Sequence, residues 1–336
     1  MEESRPLLSI CIPTYNRAVV LKKTLDSLVQ NKAFDETVEV VVSDNNSTDN
    51  TQEVGEYYAA HYPNIKYYRN KENVRDENFP LSMDRATGEY IKLLKDNIVM
   101  SDSSLEYMKE NIINNRQTKT PLFFTNGVVF GVKKKESYKC TDFDDFFVHT
   151  SYQITSIVYF GCWREDWERV VDKTRYSELQ LSQVDWIFQV LNLKKEALLL
   201  NRRYYSMFEV GKGKRTGYNW FKVHVDNYYT IVGKYVESGA ISRKALQKEK
   251  SINIQGKKAA ISTKYFLRIY SSWDFDMSGA TAILWKHYKK VPRFYVLMSI
   301  IPLWGTFLYV ENRFRDMMIQ FGWWDTFKRS ILRKEV

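Results

Sequence analysis

Through its first 113 residues the chain alternates short apolar runs with helix-length stretches, and most of the apolar runs end in polar side chains. Residues 7–13 (LLSICIP) are apolar without alternation and stop at a proline, the pattern of a strand buried on both faces. Residues 17–30 carry Val20, Leu21, Leu25, Leu28 and Val29 at helical spacing. Residues 38–43 (VEVVVS) read as a second buried strand. Residues 49–61 read as a helix with Ser47 or Asp49 as its cap. A third strand at 65–69, a helix at 78–86 closed by Gly88, a fourth strand at 90–94 (YIKLL) and a helix at 103–113 complete the series.

Strands separated by helices at this spacing predict an α/β fold with a mostly parallel central sheet. In such sheets ligands bind outside the carboxyl ends of the strands. The residues that matter are therefore those just after each strand. They are Thr14, Tyr15, Asn16 and Arg17 after the first, Asp44, Asn45 and Asn46 after the second, and Asp96 and Asn97 after the fourth. Further along, residues 121–132 suggest one or two strands, 133–145 a charged loop, 155–160 a strand and 163–171 a helix. Residues 183–193 suggest an amphipathic helix and 197–200 a short strand. From 218 onward the pattern is almost wholly helical. No internal repeat or low-complexity tract interrupts the chain.

Charge divides the chain. Of the net +10, residues 1–211 contribute −4 and residues 212–336 contribute +14. This places a domain boundary near 211 and points the basic part at a polyanion. The 15% aromatic content exceeds what a core absorbs, because Tyr and Trp tips need polar partners. The three cysteines, Cys11, Cys140 and Cys162, are odd in number and far apart, which argues against a disulfide framework or a thiolate zinc site. The first ten residues carry no secretory leader pattern. A cytoplasmic location follows as an expectation.

Several groups could carry chemistry. Asp44 opens SDNNSTDNT, where a carboxylate would accept from an N–H of a nucleobase or cap the next helix. Asp96-Asn97 ends a strand, where a carboxylate would hold Mg²⁺ or Mn²⁺ beside a diphosphate; Asp102 is the nearest second acid. Residues 211–217 (GKGKRTG) offer glycine amides with Lys212, Lys214 and Arg215 for a phosphate, without Walker spacing. Asp185, at the start of an amphipathic helix, is the candidate base, with Glu178 and Asp166 as rivals. His149 and His224 stand isolated. Residues 294–310 hold 17 uncharged positions, short of the ~20 a bilayer span takes. Aromatic and basic residues follow them, and the segment 293–330 reads as a membrane-interface helix or as a packed hydrophobic pair.

Taken together, LLSICIPTYNRAVVLKKTLDSL, VEVVVSDNNSTDNT, NIKYYRNKENV and ATGEYIKLL resemble the family 2 glycosyltransferases, most closely their abequosyltransferase-like branch of bacterial surface-polysaccharide enzymes. The likeness covers residues 7–102 and weakens beyond. It implies a GT-A fold and inverting transfer from a nucleoside-diphosphate sugar, UDP first among them, to a hydroxyl of a lipid-linked or polysaccharide acceptor. On that reading Thr14, Tyr15, Arg17, Asp44, Asn46, Arg75, Lys214 and Arg215 bind the nucleotide, and Asp96 lies in the motif that binds metal and ribose. Asp96 and Asp185 are then the catalytic candidates, and Asp96 and Asp102 the candidates for Mn²⁺ or Mg²⁺. The implied setting is the cytoplasmic face of the membrane, with an anionic lipid surface and not nucleic acid as partner. Two departures stand out. Asn97-Ile98 replaces the family's run of acids, which allows a catalytically impaired scaffold as the alternative. Arg75 stands where the family has a glycine after Asn73.

Overall fold

The computed structural model describes residues 5–101, 103–131, 136–208, 219–257, 261, 276–320 and 323. Five strands form the main sheet in the order β3-β2-β1-β4-β8. They are β1 (Leu8–Thr14), β2 (Val38–Asp44), β3 (Ile65–Arg69), β4 (Tyr90–Leu93) and β8 (Gly161–Trp163). The first four are parallel and β8 is antiparallel to β4. Every residue of β1, β2 and β4 is buried, including Glu39, which accepts from Ser9 and Thr87, and Lys92. The crossovers are α1 (Ala18–Val29), α2 (Thr51–His61) and α3 (Asn78–Asp84), and α4 (Ser104–Asn114) follows the sheet's fourth strand. Leu21, Leu25 and Leu28 of α1 join Ile10, Ile12, Val40 and Val42 in one core.

Two smaller sheets extend this frame. β5 (Ile98–Met100) pairs antiparallel with β10 (Tyr205–Met207). β6 (Leu122–Phe124), β9 (Ala197–Leu200) and β7 (Ser137–Cys140) form the third sheet. Between them lie α5 (Phe143–Thr150), α6 (Arg164–Arg169) and α7 (Ser182–Lys194). The charged stretch expected as a loop at 133–145 thus contains β7 and the start of α5. Its acids hide a cap: the Asp142 carboxylate accepts from Asp145 N at 2.8 Å. The strand expected at 155–160 is instead two 3₁₀ turns, Ser151–Thr155 and Ile157–Tyr159. A side chain takes over part of the strand ladder's role here. Lys92, 1% exposed in β4, donates Nζ to the carbonyls of Val158 and Phe160.

By its internal contacts the chain divides into two units. One holds residues 1–214 and 222–249, the other 215–221 and 250–336. The first ends in a π-helical turn (Lys222–Asn227) and α8 (Tyr228–Glu237), with α9 (Arg243–Gly256) beginning in it. The second includes α10 (Ala280–Tyr288) and α11 (Pro292–Gln320). α11 runs unbroken through Pro302 and Gly305. Among the described residues no helix is long and apolar enough to cross a membrane. The three cysteines are buried and unbonded to one another.

Candidate active site

The carboxyl ends of β1, β2 and β4 lie side by side in register, with Thr14 opposite Asp44. β4 ends three residues before Asp96. The Thr14 hydroxyl donates to Asp96 Oδ2 at 3.0 Å, and Thr24 Oγ1 donates to the Asp96 carbonyl at 2.7 Å. Burial pushes the Asp96 carboxyl above the usual carboxylate range, against the pull of the nearby Arg17 charge and the Thr14 bond. Thr14, Arg17 and Asp96 are therefore brought together. Tyr15, 42% exposed, projects from the same turn. The next two residues turn away. Asn97 exchanges bonds with the backbone of Phe208, and Ile98 opens β5 fully buried in the core. An acid at position 98 would be an unpaired charge in that core.

The end of β2 is laced to its neighbours. Asp44 is fully buried; its Oδ1 accepts from Ser47 N at 2.9 Å and from Ser47 Oγ, and its Oδ2 accepts from the Tyr67 hydroxyl at 2.6 Å. Burial and this carboxylate push the Tyr67 phenol far above its ordinary value. Asn16 Oδ1 accepts from Thr48 N at 2.7 Å, and Ser47 Oγ accepts from Asn16 N at 2.9 Å, so the β1 and β2 turns form one unit. Asn46 is occupied by Arg69, whose Nη2 donates to Oδ1 at 2.8 Å.

Beyond β3 the chain is held by buried amides. Asn78 Oδ1 accepts from Ser43 Oγ at 2.6 Å and from Asn70 Nδ2 at 3.0 Å. Arg85 bridges Ser43 and Asn70 at 2.6 and 2.7 Å. Asn70 Nδ2 also donates to Asn45 Oδ1, and Asn45 Nδ2 donates to Asn73 Oδ1 and to the Arg75 carbonyl at 3.1 Å. The Arg75 amide donates to Asn73 Oδ1 at 2.9 Å. These bonds hold Arg75 at φ +51°, a left-handed conformation that asparagine tolerates and arginine rarely takes. Its guanidinium is exposed and has no partner among the described residues. The signal for this network was present in the asparagines clustered after β2 and β3, but no spacing rule pairs amides across two loops.

Asp185 sits apart, 1% exposed in the first turn of α7. Arg175 grips it with Nε on Oδ2 at 3.0 Å and Nη2 on Oδ1 at 2.5 Å; Tyr235 donates to Oδ1 at 2.7 Å and Gln189 to Oδ2 at 2.8 Å. Each oxygen thus accepts two bonds, its full complement. Asp166 is fully buried with Lys194 at 3.4 Å, and His149 lies 3.2 Å from Asp145. Asp102, Lys212, Lys214 and Arg215 lie outside the described residues.

A divalent cation needs several oxygen donors. Among the described residues no three acids, histidines or cysteines gather in one place, and Asp96 is a lone carboxylate already engaged by Thr14. The protein donors described here do not by themselves make a cation site.

Residues 9–163, from β1 to β8, match Glycosyl transferase family 2. The chain is 35% identical over 105 residues to abequosyltransferase RfbV of Salmonella typhimurium, covering 31% of this chain and 32% of that one. It is 33% identical over 107 residues to the GalNAc(5)-diNAcBac-PP-undecaprenol beta-1,3-glucosyltransferase of Campylobacter jejuni, covering 31% and 34%. The chain thus spans about a third of the length of these curated relatives. Among solved structures it is similar to S. aureus TarS 1-349 in complex with UDP-GlcNAc, with TM-score 0.58 and 17% identity over 94% of this chain and 92% of that one. A mannosyltransferase from Pyrobaculum calidifontis in complex with GDP-Man and Mn²⁺ gives TM-score 0.52 at 14% identity, covering 89% and 85%. These structural likenesses establish the GT-A fold.

Proposed function

We propose that this chain, whose residues 9–163 are a family 2 glycosyltransferase domain on a GT-A fold, moves a sugar from a nucleoside diphosphate, UDP first, to a hydroxyl of a saccharide acceptor. The observation that carries the reading is the joining of Thr14, Arg17 and Asp96 beside Asp44 at the carboxyl edge of one parallel sheet. Asp44 Oδ2 accepts one bond, from Tyr67, and is fully buried, so a base N–H reaches it when the Tyr67 side chain swings aside. Tyr15 stands ready to stack on that base. Arg17 and Arg75 meet the diphosphate, whose departure places negative charge where preorganised cations stabilise it. Lys214 and Arg215 are assigned to the same anion.

Attack by the acceptor hydroxyl opposite the leaving diphosphate inverts the anomeric centre. The hydroxyl proton goes to a carboxylate, and Asp185 is the one assigned. Because its oxygens are filled, Asp185 must release one of its neutral donors, Tyr235 or Gln189, to accept it, while Arg175 stays held. Mn²⁺ or Mg²⁺ would enter through Asp96 and the donor's own phosphates, with Asp102 as second carboxylate. One relative favours a lipid-linked acceptor, since the Campylobacter protein is named for a PP-undecaprenol-linked saccharide.

Thermal unfolding with UDP, GDP and their sugars, with and without Mn²⁺, tests the donor. Failure of every nucleotide to stabilise the protein refutes the reading. Ile98 supports a second reading, a nucleotide-binding scaffold without turnover; sugar transfer that disappears in Asp96→Ala excludes it.

The second unit is assigned to an anionic membrane surface. Trp285, Tyr295, Val296 and Ile300 are exposed on α10 and α11, and Lys286, Lys289, Lys290 and Arg293 lie among them in sequence. Apolar side chains interleaved with cations suit a headgroup region. Flotation with phosphatidylglycerol vesicles should retain the full chain and lose one truncated at 292. Equal recovery of both overturns the assignment.

A further inference from the structure

A cavity of about 430 Å³ opens between the segment before α7, α7 itself and α8, within the first unit. No residue from the carboxyl ends of β1, β2 or β4 lines it. Its wall is built on the Asp185 cluster. Buried Asp185 and Tyr235 hold Arg175 by Nε and Nη2, which leaves the outer nitrogen Nη1 without a partner among the described residues. The guanidinium lies 5.2 Å from the centre of the Tyr176 ring. The Tyr176 hydroxyl and the Asn192 amide also lack hydrogen-bond partners among the described residues. Lys234 completes the rim; its 3.2 Å pair with Glu237 is solvent-exposed on both sides and holds it weakly.

Two of the lining groups are cationic donors, the fixed Arg175 guanidinium edge and the Lys234 ammonium; the Tyr176 phenol and the Asn192 amide both donate and accept. Two cations at one rim favour an anionic ligand over the exposed Glu237 carboxylate, and the volume lies in the range of small-molecule sites. An Arg edge held by a buried carboxylate presents its N–H pair without loss of rotamer freedom, which suits a carboxylate or phosphate. The partly exposed Tyr176 ring supplies flat apolar surface for a sugar face.

We propose that this cavity binds a saccharide unit bearing a carboxylate or a phosphate, at a subsite separate from the donor pocket. The ligand class rests on the glycosyltransferase reading. In solution the full chain, with the donor pocket saturated by UDP, is titrated with glucuronate, glucose 6-phosphate, glucose and inorganic phosphate, followed by saturation-transfer NMR and calorimetry. Lys234→Glu and Asn192→Ala are titrated in parallel, with thermal unfolding as the control for folding. Both sites are on the surface, so the fold should be kept. The expected result is binding of glucuronate or glucose 6-phosphate in the presence of UDP, at least tenfold weaker in Lys234→Glu and weaker in Asn192→Ala. Preference for glucuronate assigns a uronate unit, and preference for glucose 6-phosphate a phosphorylated one. Binding of neither, competition with UDP, indifference to both substitutions, or inorganic phosphate binding as tightly as the sugar phosphate each overturns the proposal. If UDP itself does not bind, the donor reading fails while the sugar titrations still report on the cavity.

Discussion

Arg75→Gly should make the protein more stable and a poorer binder of nucleotide. Arg75 sits at φ +51° with its backbone N–H on Asn73 and its carbonyl accepting from Asn45. Both bonds use main-chain atoms, so glycine keeps them. An L side chain in this region costs about 1–2 kcal/mol. Glycine returns about 0.5–1 kcal/mol of that through its greater freedom in the unfolded chain. The guanidinium has no partner among the described residues, so nothing is left unpaired. The net gain is about 0–1.5 kcal/mol, a rise in melting temperature of at most about 4 °C. If the side chain meets the diphosphate, a charge-assisted contact of about 1.5–3 kcal/mol is lost. UDP should then bind roughly ten- to a hundredfold more weakly by calorimetry. Arg75→Ala separates the two effects, because it keeps the strained backbone and loses only the charge. A glycine variant that melts lower, or that binds UDP as tightly as the parent, refutes the reasoning.

Asp96→Asn should stabilise the unliganded protein at neutral pH and abolish transfer. Burial raises the Asp96 carboxyl in the folded state, so stability is greatest below its unfolded value of 3.8 and falls as pH rises through the raised one. The advantage of Asn should shrink toward pH 4, and a pH-independent difference would sink the argument. Lys92 is the opposite case. Burial lowers it from 10.5 to about 7, so stability should climb between those values, where only the unfolded chain holds the proton. Lys92→Met should flatten that climb in melting curves recorded from pH 6 to 10. Asp185→Asn should lower the melting temperature in either role, because the new amide nitrogen cannot accept from Arg175 and its neighbours; a base loses in addition about 10²–10⁴ in kcat measured well below melting, and an unchanged kcat refutes the assignment.

Residues 7–94 were readable because a parallel sheet buries its strands on both faces, which leaves mostly apolar runs such as LLSICIP. The crossover helices then show their stripes against these runs. The rule that ligands gather at carboxyl strand ends turned that periodicity into Thr14, Arg17, Asp44 and Asp96. The reading missed β7 and the start of α5, where a run of charges concealed a helix cap. It also took residues 155–160 for a strand, because an apolar hexapeptide does not reveal that a lysine 66 residues away in the numbering of its Val158 bond will take its carbonyls.

The order of apolar and polar residues along this chain determined the sheet, its crossovers and the edge where chemistry gathers, since those depend on local periodicity and on which faces must leave water. Tertiary structure alone decided how each candidate is used. Asp44, Asn46 and Asp185 look alike in sequence as polar residues at strand or helix ends. Folding buries Asp44 under Ser47 and Tyr67, gives Asn46 to Arg69 and fills every acceptor position of Asp185. Hydrogen-bond capacity is spent in three dimensions, by partners from anywhere in the chain, and no spacing along the sequence records it.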